Sequence, residues 1–81
     1  SLYLRLEVND KPGVLSDLTK ILAKYKISIQ RLIQIPDKKN KRATIVIITH
    51  KCLEKNSINC INNLNKNKNV LKNPVLIRLF A

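Results

Sequence analysis

Leu2, Leu4, Leu6 and Val8 alternate with Tyr3, Arg5 and Glu7, a period of two that predicts a strand with one buried face. Asn9 to Lys11 read as a turn. From Pro12 the period changes: Val14, Leu15, Leu18, Ile21, Leu22 and Tyr25 fall on one side of an amphipathic helix. Pro12 suits the first helical position, where its missing N–H is no loss. A second strand is expected from Ile27 to Ile35, with Ile27, Ile29, Ile33 and Ile35 in step. Arg31 breaks that pattern, which a bulge or an edge position would accommodate.

After the charged turn PDKKNKR, Ala43 to Thr49 reads as a third strand. Ala43, Ile45 and Ile47 form one face, Val46 and Ile48 the other, and a strand apolar on both faces belongs in the middle of a sheet. A second helix is predicted from Leu53 to Lys66, with Leu53, Ser57, Cys60, Ile61 and Leu64 inward. Its asparagines are poor helix formers, so packing has to hold it. NKNKN is a polar loop, and Pro74 opens a last strand, Val75 to Phe80.

The order β-α-β-β-α-β predicts an α+β, ferredoxin-like fold: a four-stranded antiparallel sheet, strand order 4-1-3-2, with both helices on one face. The other face is left with Val46 and Ile48, so a self-associated or partner-docked module is expected.

Composition narrows the class. The 81 residues suit one domain spanning the whole chain, 44% of it apolar. Such a domain buries only about two thirds of the surface its unfolded chain exposes. No apolar run approaches the ~20 residues of a membrane span, so no membrane partner is expected; a cytoplasmic location is expected because the two cysteines read as reduced thiols. The chain lacks methionine, which suggests a domain cut from something longer. Cys52 and Cys60, eight residues apart on the predicted helix, lie about 12 Å apart along its axis, too far to bridge. Reduced thiols are expected, and no metal site, because zinc needs more ligands at closer spacing.

The net charge is +11, from 16 Lys and Arg against 5 Asp and Glu. Such an excess suggests nucleic acid, but Lys, Asn and Ile together make up 33 residues, a bias that AT-rich codons also produce. RNA-binding modules of this topology stack bases on aromatics of the central strands. Here the rings are Tyr3, Tyr25 and Phe80, with Thr44, Val46 and Ile48 on the third strand. RNA binding is therefore the lesser alternative, and no nucleic-acid partner is expected. Catalysis needs a positioned pair or triad. One histidine and five scattered carboxylates supply none, and His50 reads as a turn residue.

Gly13 is the only glycine. Placed after Pro12 at a helix start, it leaves the N–H groups of Gly13, Val14 and Leu15 unpaired, next to the positive end of the helix dipole. Those donors can receive a carboxylate. Asp10 can accept an ammonium or, more plainly, cap the helix. Groups of both signs in one turn suit a zwitterion such as a free amino acid. The alternative is that Pro-Gly only makes the turn.

NDKPGVLSDLTKIL followed by KISIQ resembles the ACT domain, a small-molecule-sensing regulatory module. YLRLEV, DKPGVL, ISIQRLIQ, IVIITH and PVLIRLF together are most similar to the C-terminal ACT domain of homoserine dehydrogenases. The resemblance implies a parent enzyme that interconverts aspartate semialdehyde and homoserine with NAD(P) in threonine and methionine biosynthesis. Its catalytic domains would precede Ser1, leaving this part without catalytic residues or a cofactor. It further implies a homodimer, paired edge to edge, that binds an amino acid between subunits. Asn9, Asp10, Gly13, Val14 and Leu15 of one copy, with Ile27, Ser28 and Ile29 of the other, would form the site, and threonine, the pathway end product, is the expected effector. Ser28 stands where effector-binding members often carry Asn, which keeps open an assembly-only domain that dimerises without a ligand.

Overall fold

A computed structural model describes residues 1–79. In chain order it holds β1 (Leu2–Asn9), α1 (Val14–Lys24), β2 (Ile29–Asp37), β3 (Arg42–Thr49), α2 (Glu54–Lys66) and β4 (Val75–Arg78). All strand pairs are antiparallel and the sheet runs β2-β3-β1-β4, the order expected from the pattern. The predicted last strand ends sooner, at Arg78; Phe80 lies outside the described residues.

The core lies between the sheet and the helices. Leu4, Leu6 and Val8 of β1 and Ala43, Ile45 and Ile47 of β3 pack with Val14, Leu18 and Leu22 of α1 and with Cys60 and Leu64 of α2. Strict alternation in the two central strands places these residues on one face. Ser57 is also buried, its hydroxyl donating to the Glu54 carbonyl at 2.7 Å, so this polar residue is satisfied within its own helix. Asn63 ties the helices together, its amide donating to the Tyr25 hydroxyl at 3.0 Å.

Five expectations are corrected. Pro12 is not the first helical residue: Pro12 and Gly13 form a turn, and α1 starts at Val14 with Gly13 as its N-cap. In β2 the register shifts between Ile29 and Arg31. This bulge changes which face the later residues occupy, so Leu32 packs against the core while Ile33 and Ile35 are exposed on the opposite side. Ile27 is buried but precedes the strand. Leu53 is the N-cap of α2 and points outward, 67% exposed, and Cys52 precedes that helix instead of lying on it. Both cysteines are free thiols. Burial, and secondarily the neighbouring Cys52, pushes the Cys60 thiol up to about 11, so Cys60 is an inert core residue.

A candidate effector site split between the two ends of a helix

The β1–α1 turn is fixed by backbone bonds to two other loops. The Asp10 N–H donates to the Lys41 carbonyl at 2.9 Å. The Asn9 N–H donates to the Asn69 carbonyl at 2.9 Å, and the Asn9 side-chain amide to the Asn69 side chain at 3.2 Å. Asn9 is thereby a brace for the turn. Gly13 adopts φ 87°, a left-handed backbone that costs an L-residue about 1–2 kcal/mol. A Cβ there would meet nothing within 4 Å. The lone glycine is thus demanded by its dihedral angle, and the space beside it is open.

Of the three donors expected at this helix start, one is already used. The Val14 N–H donates to the Lys11 carbonyl at 3.3 Å. Those of Gly13 and Leu15 find no acceptor among the described residues, and no side chain caps the helix. Asp10 does not serve as the cap; it is exposed. Val14 is buried in the core and offers the site backbone only, whereas Leu15 is half-buried beside the turn.

Ile27, Ser28 and Ile29 are held at the other end of α1. The Ile27 N–H donates to the Leu22 carbonyl and the Lys26 N–H to the Ala23 carbonyl, each at 3.0 Å. This pair of bonds is the helix-ending arrangement in which the first residue past the cap turns left-handed. Lys26 takes that position, at φ 59°. The turn drives the Ile27 side chain into the core beside Leu22 and leaves Ser28 exposed. The Ser28 carbonyl accepts the His50 N–H at 2.9 Å, which fixes the start of β2 against the end of β3; His50 itself follows β3 outside any regular turn. The result is a groove of about 480 Å³ lined by Thr19, Ala23, Lys26, Ile27, Ser28 and Ile29.

Thr19, Ala23 and Lys26 were not anticipated as lining residues. Thr19 and Ala23 are four apart, hence on one helical face, and their small size beside Ile27 was the available signal. Lys26 gave none, because Gly or Asn is the ordinary choice at a left-handed cap. A second groove of about 410 Å³, lined by Lys26, Lys51, Cys52, Leu53 and Asn56, lies beside the first.

The eleven residues of α1 separate the two halves by about 16 Å along its axis. One copy therefore cannot bring Gly13 and Ser28 onto one small ligand. The aromatic residues are also apart: Tyr3 is half-buried on the open face of β1, and Tyr25 caps the end of α1. Among the described residues, Tyr3 is the only ring on that face, and there are no His, Cys, Asp or Glu groups arranged to hold a metal ion. No described helix is long and apolar enough to cross a membrane.

A βαββαβ chain forming a four-stranded antiparallel sheet with two helices on one face defines a ferredoxin-like domain. Residues 2–57 match the ACT domain family model, and the chain belongs to that family. As an ACT domain it is a regulatory, non-catalytic unit. Among curated relatives, it is 51% identical over 55 residues to homoserine dehydrogenase of Methylobacillus glycogenes, covering 67% of this chain and 13% of that protein. It is 36% identical over 77 residues to homoserine dehydrogenase of Helicobacter pylori, covering 95% of this chain and 18% of that one. The crystal structure of a homoserine dehydrogenase from Thiobacillus denitrificans superposes with a TM-score of 0.86 at 37% identity, over 98% of this chain and 17% of that one. The chain thus spans less than a fifth of the length of each of these proteins.

Proposed function

We propose that this ACT domain is the dimerising, amino-acid-sensing regulatory part of a homoserine dehydrogenase, with threonine as its effector. The observation that carries the reading is the split site: an open helix start with free amide donors at one end of α1, and a groove at the other. Edge-to-edge pairing of two copies would bring Gly13 of one copy toward Ser28 of the other. In that arrangement the Gly13 and Leu15 amides receive the ligand carboxylate, aided by the helix dipole. Asp10 takes the ammonium, and the Ser28 hydroxyl meets the ligand's own hydroxyl. Asn9, Val14, Ile27 and Ile29 shape the site through backbone position and packing. Catalysis, and the NAD(P) it uses, belong to other parts of the parent enzyme.

Regulation follows if the ligand prefers one arrangement of the paired domains. It can then shift the enzyme only by its differential affinity for the two states, about 1–3 kcal/mol in typical systems.

Calorimetric titration with threonine, and with isoleucine, methionine and serine for comparison, tests this reading. Threonine is expected to give the strongest heat. Gly13→Ala should abolish or severely reduce that heat, because its Cβ enters the open space beside the amides, while circular dichroism shows the domain still folded. No heat from any of the four amino acids, with a dimer present in the ultracentrifuge, would leave the assembly-only reading in its place. Tight binding of a single-stranded RNA oligonucleotide at ~150 mM salt, where loose electrostatic binding is weak, would favour the nucleic-acid alternative.

A further inference from the structure

The second groove, of about 410 Å³, shares only Lys26 with the first and takes no part in the candidate effector site. It forms where two connections meet. Lys26 ends α1 in the left-handed conformation, at φ 59°, its N–H donating to the Ala23 carbonyl at 3.0 Å. Lys51 follows His50, whose N–H bond to the Ser28 carbonyl at 2.9 Å lays the β3–α2 connection beside the α1–β2 connection. Two lysines far apart in the sequence thus line one concavity, which Cys52, Leu53 and Asn56 complete.

The lining joins two kinds of surface. Lys26 and Lys51 are exposed cations. The one ion pair among the described residues joins Arg78 to Glu54, so the carboxylate on the first turn of α2 is already engaged and neither lysine has a carboxylate partner among those residues. The start of α2 adds to the positive field of the pair. Its Glu54 and Lys55 N–H groups have no acceptor among the described residues, and no side chain caps the helix. Leu53 is the apolar part of the lining. As the extended N-cap of α2 it is 67% exposed, more than any other large apolar side chain among the described residues. Asn56, half-buried beside it, offers a carboxamide that can both donate and accept.

We infer that this groove binds a small organic phosphate, its dianionic group between the Lys26 and Lys51 ammoniums and its apolar body over Leu53. A phosphate group suits the pair because its charge of about two and its three strong acceptor oxygens can be shared between separate cations. Lysine meets it as a point charge, with no need of the bidentate geometry that arginine supplies. A nucleic-acid strand would need a cationic track longer than two residues. Both ammoniums are solvated, which weakens their attraction and sets binding in the millimolar range. The inference does not rest on threonine binding: a domain with no amino-acid effector has the same groove.

Titration of the wild-type domain, followed by NMR amide shifts at ~150 mM salt to screen diffuse attraction, tests the inference with phenyl phosphate, inorganic phosphate and benzyl alcohol. Phenyl phosphate should shift the amides of Lys26 and of Lys51 to Asn56, and bind about threefold or more tightly than inorganic phosphate because its ring covers Leu53. Benzyl alcohol should cause no shift. Lys51→Gln and Lys26→Asn, the latter chosen because Asn tolerates a left-handed cap, should each weaken phenyl phosphate about threefold or more. Leu53→Ala should remove its advantage over inorganic phosphate. Lys68→Gln takes the same charge from the loop after α2 and should change nothing; circular dichroism confirms that each variant folds. Equal weakening by Lys68→Gln would overturn the proposal, since the overall charge would then be the binder. So would inorganic phosphate that binds as tightly as phenyl phosphate, an adventitious ion only, or the absence of any shift across the millimolar range. Gly13→Ala should leave these shifts in place, so loss of threonine heat and loss of phosphate binding are separate failures.

Discussion

Leu6→Ala is expected to lower the melting temperature of the domain by about 10 °C or more, at a cost of about 2–5 kcal/mol. Leu6 is the fully buried centre of β1, paired with Ile45 on the adjacent strand and covered by the helices. A domain of 81 residues has a total stability of only about 4–12 kcal/mol. Removing three carbons where neither sheet nor helix can collapse inward therefore consumes a large part of it. Ile33→Ala, on the open face and 44% exposed, provides the contrast and should cost the isolated copy little. A thermal melt followed by circular dichroism at low concentration reads both. Equal losses at the two positions would mean that the core does not lie where the burial pattern puts it.

The second large effect is polar. Thr49 is 1% exposed, and its hydroxyl accepts the Leu2 N–H at 3.1 Å while donating to the His50 carbonyl at 2.8 Å. It thus closes the backbone at the start of β1, where Leu2 itself is buried. Thr49→Val keeps the shape but leaves that buried N–H without an acceptor, a loss of about 1–3 kcal/mol. Thr49→Ser keeps the hydroxyl, gives up one methyl, and should cost less. Urea unfolding of both variants separates the contributions: a valine variant as stable as wild type would show that water reaches the Leu2 amide.

Much of the architecture could be read from periodicity, because β1 and β3 alternate without interruption and the face of α1 is continuous. Leu2 to Val8 and Ala43 to Thr49 each follow one rule, and with two helices between antiparallel strands the order 4-1-3-2 followed. Periodicity lost its authority where one extra residue enters. The bulge at Ile29–Arg31 reverses the face of every later residue in β2, so Ile33 and Ile35 looked like core and are surface. Leu53 failed for a different reason: the apolar stripe of α2 runs onto the N-cap itself, where the chain is already extended.

The candidate site was partly readable. Pro12-Gly13 marked the turn, but Gly13 could equally have signalled a crowded backbone, and only its positive φ in open space decides between the two. The Val14 amide was expected to be free, and the Lys11 carbonyl takes it, a contact within the turn that no spacing rule reveals. The groove beside Ser28 depends on Lys26 adopting a left-handed cap, an unfavoured choice for lysine that only the two backbone bonds after Ala23 explain.

The central claim is that two copies are needed to complete one amino-acid site. Sedimentation equilibrium of the 81-residue domain, with and without saturating threonine, addresses it directly. Because binding and assembly share one free energy, threonine should tighten the dimer, and Gly13→Ala should erase that response. Threonine that binds with full heat to a monomer, leaving the association constant unchanged, would contradict the account.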